Sequence, residues 1–270
     1  MSPSIKAILF DVGGPLDTCV IMDQMIDDQI MSSFHKHGVD ISADEYADAN
    51  RWAIEAFAPN PYQAIIWRIS KGSQELVSAV ETELLQTVDH RNEARGGFEL
   101  REGMLKLIEK LWNENFLLGL AANQPAGSLK IMENLGILKY FKYKEVSGST
   151  GLRKPDPRLL LESCGGLGVN PQEAIMVGDR IDNDIVPAKT LGMIAIRLVS
   201  GRHANQQARS GYEQPDADVH DARELEQTIR QLVARPPKAS ANSYLEYQPS
   251  LVDTGKLSDQ DSPAMFYLKN

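Results

Sequence analysis

The stretch Ala7-Ile8-Leu9-Phe10-Asp11-Val12-Gly13-Gly14-Pro15 runs from four apolar residues into an acid and then a glycine turn. Continuous apolar character, without alternation, marks a strand buried on both faces. The arrangement recurs along the chain. Leu117–Ala122 precedes Asn123-Gln-Pro125, Ala174–Val177 precedes Gly178-Asp179, and Met193–Leu198 precedes Val-Ser-Gly201. Apolar residues at helical spacing fill the intervals at Leu105–Trp112, Leu129–Leu135 and Pro187–Leu191. Strands alternating with helices predict an α/β fold, a doubly wound parallel sheet covered on both sides.

About a hundred residues separate the first strand from the second, far more than a crossover helix requires. Residues 18–97 are mostly helical in pattern, over Ile21–Phe34, Ala43–Phe57 and Gln74–Val88. They predict an all-helical cap inserted after the first strand, between core segments 1–17 and 98–235. The insertion carries 13 acidic and 6 basic residues, hence most of the chain's net charge of −9. Residues 236–270 have no period and are expected to form a C-terminal tail.

The 270 residues suffice for a full core without staples,. An acidic balance argues against carrying nucleic acid on bulk charge. Two cysteines, Cys19 and Cys164, cannot build a disulfide framework or a zinc ribbon,. No apolar run nears the roughly 18 residues of a membrane span, and the first apolar stretch is too short for a signal peptide. A cytoplasmic protein with no nucleic-acid or membrane partner is expected.

In open parallel sheets, ligands bind outside the carboxyl ends of the strands. The residues there are Asp11, Asn123, the turn Lys154-Pro-Asp-Pro157, and Asp179 with Asp182 and Asp184. Several carboxylates and one lysine converge. Gathered carboxylates are costly without a cation, and an all-oxygen set suits Mg²⁺.

Four motifs now resemble those of the haloacid dehalogenase-like (HAD) hydrolase superfamily. They are Ile8-Leu-Phe-Asp-Val-Gly-Gly-Pro-Leu-Asp17, Leu120-Ala-Ala-Asn123, Gly151-Leu-Arg-Lys154-Pro-Asp-Pro157 and Val177-Gly-Asp-Arg-Ile-Asp-Asn-Asp184. The likeness spans about residues 5 to 230 and implies a Rossmann-like core with the cap placed as above. It implies a Mg²⁺-dependent phosphatase acting on a small phosphorylated metabolite. Asp11 would be the nucleophile of an aspartyl-phosphate pathway. Mg²⁺ would be held by Asp11, the Gly13 carbonyl, Asp179 and Asp184. Lys154 would offset charge as a catalytic and phosphate-binding group, with Gly13, Gly14 and Asn123 as further phosphate contacts.

The chain departs from the family pattern twice. Gly13 stands where most of these phosphatases place a second Asp as acid and base, and Ala122 where a hydroxyl contacts phosphate. Asp17 is a candidate replacement acid. A metal-independent 2-haloacid dehalogenase, or a phosphate- or partner-binding scaffold without turnover, are the alternatives. Asp182 reads as solvent-facing charge, and Arg202 and His203 as plain loop. Trp52, Tyr62, Trp67 and Arg68 read as cap core with a possible pocket role. His35 and His37, two apart, cannot form a metal pair on a helix.

Overall fold

The computed structural model describes residues 4–86 and 98–234. The expected tail and the end of the insertion, 87–97, lie outside them. β1 (Ala7–Phe10) is followed by four helices, α1 (Val20–Lys36), α2 (Ala43–Glu55), α3 (Pro61–Ile69) and α4 (Gln74–Gln86). Then come α5 (Met104–Asn113), β2 (Leu117–Leu120), α6 (Ser128–Asn134), a short α7 (Ser147–Thr150) and α8 (Arg158–Leu167). β3 (Ala174–Gly178), α9 (Val186–Thr190), β4 (Ile194–Leu198), β5 (Ala217–Val219) and α10 (Ala222–Ala234) complete the order.

The strands form one parallel sheet in the order β2-β1-β3-β4-β5. Residue alternation divides the core between its faces. Ile8, Phe10, Ile175, Val177, Ile196 and Leu198 meet Leu107, Ile108 and Leu111 of α5 and Leu225 and Ile229 of α10. Ala7, Leu9, Ala174, Met176 and Ala195 meet Leu160, Cys164 and Leu167 of α8 and Ala188 of α9. This is the doubly wound sheet that the unbroken apolar runs require.

From β1 the chain leaves toward β2 on one side, and from β3 toward β4 on the other. The crevice of such a sheet therefore opens between the carboxyl ends of β1 and β3. Asp11 and Asp179 follow those two strands.

The helices of residues 20–86 build a separate apolar centre from Ile30, Phe34, Tyr46, Ala49, Ala53, Ile65, Ile66 and Val80. Ser42 caps α2 in a reciprocal capping box with Glu45, and Asn60 caps α3, with Pro61 at its first position,. Trp52 and Trp67 stack with centroids 6.2 Å apart, and Arg68 lies over Trp52. His35 pairs with Asp40 and His37 with Glu83, so the two histidines point to separate acids. Among the described residues no helix is long and apolar enough to cross a membrane.

Candidate active site

Asp11, Asp179 and Asp184 bring carboxylate oxygens within 4.8 Å of one another. Two glycines allow this. A Cβ on Gly14, whose φ is +83°, would lie 2.6 Å from Asp179 Cγ, and one on Gly178 would lie 2.2 Å from Asp184 Cγ. Either contact is far inside van der Waals distance.

The buried Lys154 ammonium lies 2.5 Å from Asp184 Oδ1 and 3.0 Å from Asp11 Oδ1. Its backbone is held by Asn123, whose side-chain amide donates to the Lys154 carbonyl and accepts the Lys154 N–H, both at 2.8 Å. Asn123 thus fixes the lysine turn as well as lining the pocket.

The three carboxylates differ in how fully they are used. Asp184 is wholly buried; Oδ1 takes Lys154, and Oδ2 accepts the N–H groups of Asp179 and Arg180. Asp11 Oδ1 accepts the Val12 N–H and the lysine, leaving Oδ2 without a partner among the described residues. Burial pushes the Asp11 carboxyl up to about 6, against the pull of Lys154. Asp179 is only 8% exposed. Burial, then the charges of Asp184 and Asp11, hold its carboxyl well above the usual range, and no hydrogen bond from the described residues relieves it. The Gly13 N–H and C=O likewise have no backbone partner among the described residues. The open acceptors at this point are all hard oxygens, a set that fits Mg²⁺. Asp11, Asp179 and the Gly13 carbonyl would ligate it, with Asp184 fixing the group through its own hydrogen bonds. Gly14 lines the same pocket, but its N–H donates to the Asp17 carbonyl at 2.8 Å.

The pocket over Asp11 has a volume of about 190 Å³ and is completed by Cys19, Asp23, Pro61 and Tyr62 of the insertion and by Arg202 and His203 beyond β4. Four features depart from expectation. Asp17 does not reach the pocket; its carboxylate accepts the N–H groups of Cys19 and Glu99 and ties the two crossings into the insertion together. Asp182 is no free surface charge; it pairs with Arg180 at 2.5 Å and accepts from Gln206. Arg202 is no plain loop residue. It holds Asp27 through two 2.7 Å bonds, Asn50 at 2.6 Å and Asp23 at 3.4 Å, and covers the Tyr62 ring. The arginine therefore ties the sheet to α1, α2 and α3. His203 has a buried Nδ1 without a partner among the described residues, and burial with Arg180 and Arg202 nearby pushes the ring down to about 3. Of the four aromatic-face candidates in the insertion, Tyr62 alone lines the pocket. The spacing of Asp23 and Asp27, one helical turn apart, was the available signal for an arginine partner.

Sheet order and the acid–lysine cluster define a doubly wound α/β core with an acidic site at its crevice, and the family model for haloacid dehalogenase-like hydrolases matches residues 5–192. The chain belongs to that family. Among curated relatives, glyceraldehyde 3-phosphate phosphatase of Methanopyrus kandleri is 37% identical over 98 residues, 36% of this chain and 42% of that protein. Phosphoglycolate phosphatase of Psychrobacter arcticus is 31% identical over 173 residues, 56% of this chain and 74% of that protein. The chain spans less than half the length of the first relatives it matches. A solved HAD phosphatase from Thermococcus onnurineus has a similar fold, with TM-score 0.55 and 23% identity, covering 83% of this chain and 98% of that one.

Proposed function

We propose that this chain is a Mg²⁺-dependent phosphatase for a small phosphorylated metabolite, with a core of residues 1–17 and 98–235 under a cap of residues 18–97. The reading rests foremost on one observation: Asp179, buried and without a hydrogen-bond donor among the described residues, brings a carboxylate oxygen within 4.8 Å of one of Asp11. The phosphatase names of the relatives agree with it. The pocket is smaller than the roughly 300–1,000 Å³ that holds drug-sized ligands, which suits a small substrate,.

One carboxylate oxygen of Asp11 attacks phosphorus and the aspartyl-phosphate forms there, the other staying available to the metal. Lys154 holds Asp11 in direction and offsets the charge of the incoming phosphoryl group. The Gly13 N–H, and Asn123 with the amide hydrogen that Lys154 leaves free, would contact the phosphate oxygens, while Gly14 keeps the wall clear for Asp179. When bound, Mg²⁺ would neutralise charge shared by the carboxylates and the phosphate. Water then attacks phosphorus, releasing phosphate and restoring Asp11. The insertion, tied down by Arg202, forms part of the pocket wall over Asp11.

A haloacid dehalogenase of the metal-independent kind has no use for a second unpartnered carboxylate at Asp179, so this residue favours the phosphatase over it. The test is phosphate release from sugar, nucleotide and small-acid phosphates, with Mg²⁺ or chelator, for the native chain and Asp11→Asn. Mg²⁺-dependent release lost in Asp11→Asn is expected. Silence of the native chain across the panel would overturn the proposal, and 2-haloacid turnover in chelator would replace it with the dehalogenase.

A further inference from the structure

A phosphate ester breaks in one of two ways. Its leaving oxygen gains a proton as the P–O bond opens, or it departs as an anion. The first route needs a positioned acid near neutral pH.

Among the described residues each proton-bearing group of the pocket is committed or of the wrong kind; Lys154 is held by Asp11 and Asp184, and Cys19 offers only a thiol, a weak donor,. Tyr62 donates its hydroxyl proton to Asp23 at 2.6 Å, and Asp23, which also takes Arg202, is an acceptor. Thr18 donates to Glu99 at 2.7 Å. His203 is kept neutral by its burial and by the charges of Arg180 and Arg202. The neighbouring guanidiniums keep their protons throughout. Asp17 accepts two backbone N–H groups away from the pocket. The space beside Gly13 holds no carboxyl either, since a Cβ there would face Cys19 Sγ at 3.3 Å and Gln124 Nε2 at 3.8 Å. Asp11 is the nucleophile of the proposed reaction, and Asp179 belongs with it and Asp184 to the acidic cluster that would hold the metal.

We propose that the site serves phosphates whose leaving oxygen departs as a stable anion, namely acyl phosphates and chemically equivalent anhydrides, in preference to alkyl phosphates. This rests on the phosphatase reading. In the first step the Asp11 oxygen bonds to phosphorus, the bond to the leaving oxygen breaks, and that oxygen keeps the electron pair and leaves as a carboxylate. In the second, water bonds to phosphorus, the Asp11–phosphorus bond breaks, and both water protons stay with the dihydrogen phosphate released. Neither step takes a proton from the leaving-group side of the pocket.

The experiment measures kcat/KM in Mg²⁺ for acetyl phosphate, for an aryl phosphate series of similar size with phenols from weakly to strongly acidic, and for a two-carbon alkyl phosphate. Asp11→Asn assigns the turnover to this site. The absence of a positioned acid among the described residues predicts that acetyl phosphate and the most acidic aryl esters exceed the alkyl ester by about 10²–10⁴-fold. The rate should fall steadily along the aryl series, and D₂O should leave kcat/KM for the acidic esters unchanged. A flat aryl series, with the alkyl ester within about tenfold of acetyl phosphate, would overturn this inference and leave the phosphatase reading standing. No release from any compound would overturn both.

Discussion

Replacing Lys154 by Met removes the ammonium that touches both Asp11 and Asp184 while keeping much of the side chain's bulk. Two attractions are lost. At an effective dielectric of about 20, unit charges at 2.5 Å attract by ~7 kcal/mol and at 3.0 Å by ~6 kcal/mol,. Most of that is offset by the cost of burying the three charges, several kcal/mol for each. What remains after breaking such a buried group is a loss of about 3–5 kcal/mol, a large part of an ordinary domain's stability. The loss should depend on pH. Lys154 pulls the Asp11 carboxyl down from where burial alone would place it, so the variant raises it above about 6. A carboxyl raised in the folded state binds its proton more tightly than the unfolded chain does. Its penalty is thus full at high pH and is relieved as pH falls through the folded value. Urea unfolding of both proteins in chelator, at about pH 8 and about pH 5, checks this. The deficit should be largest at the higher pH and shrink at the lower one. A deficit under about 1 kcal/mol, or one equal at both, would refute the idea that the lysine's charge holds the carboxylates together.

Gly14→Ala forces a methyl group onto Asp179 at a positive φ, and Mg²⁺ affinity by calorimetry should fall about 10–100-fold,; unchanged affinity would separate Asp179 from the metal. Arg202→Ala leaves Asp27 and Asp23 without their cation and should cost about 1–3 kcal/mol,. Hydrogen exchange in α1 and α2 should speed up, with partial recovery on adding Asp27→Asn; exchange at the native rate would deny Arg202 its tie. Mg²⁺ must displace protons from carboxyls raised by burial, so its affinity should drop by at least about tenfold per unit below about pH 6,. Constant affinity from about pH 5 to about pH 8 would contradict the raised carboxyls.

Much of the architecture was visible as pattern. The apolar runs ending in Asp11, Asn123 and Gly178-Asp179 are strands because a sheet buried on both faces leaves no polar position to alternate. Of the four described helices of the insertion, α1, α2 and α4 showed in the sequence within a few residues of their observed ends, whereas α3 was not read as a helix. β5 escaped notice because Ala217-Asp218-Val219 is a three-residue edge strand that pairs on one side, so little apolar character is required of it. α8 carries Gly165 and Gly166, poor helix formers; a Cβ on Gly166 would strike the Tyr143 ring at 2.2 Å, so packing overrides propensity there,.

The same division holds at the site. Local sequence determined which residues follow the strands, and parallel topology alone brings those strand ends to one crevice. Asp11, Lys154, Asp179 and Asp184 were legible for that reason. What each group does with its second oxygen or its proton was not. That Asp184 is saturated and Asp179 bare, that Asp17 staples two chain crossings, and that Arg202 reaches α1 and α2 across more than 150 residues all depend on hydrogen bonds between segments distant in sequence. Periodicity reports the face a residue turns toward the core. It carries no record of the partner it finds there, because that partner is chosen by the packing of elements whose relative placement only the folded chain contains.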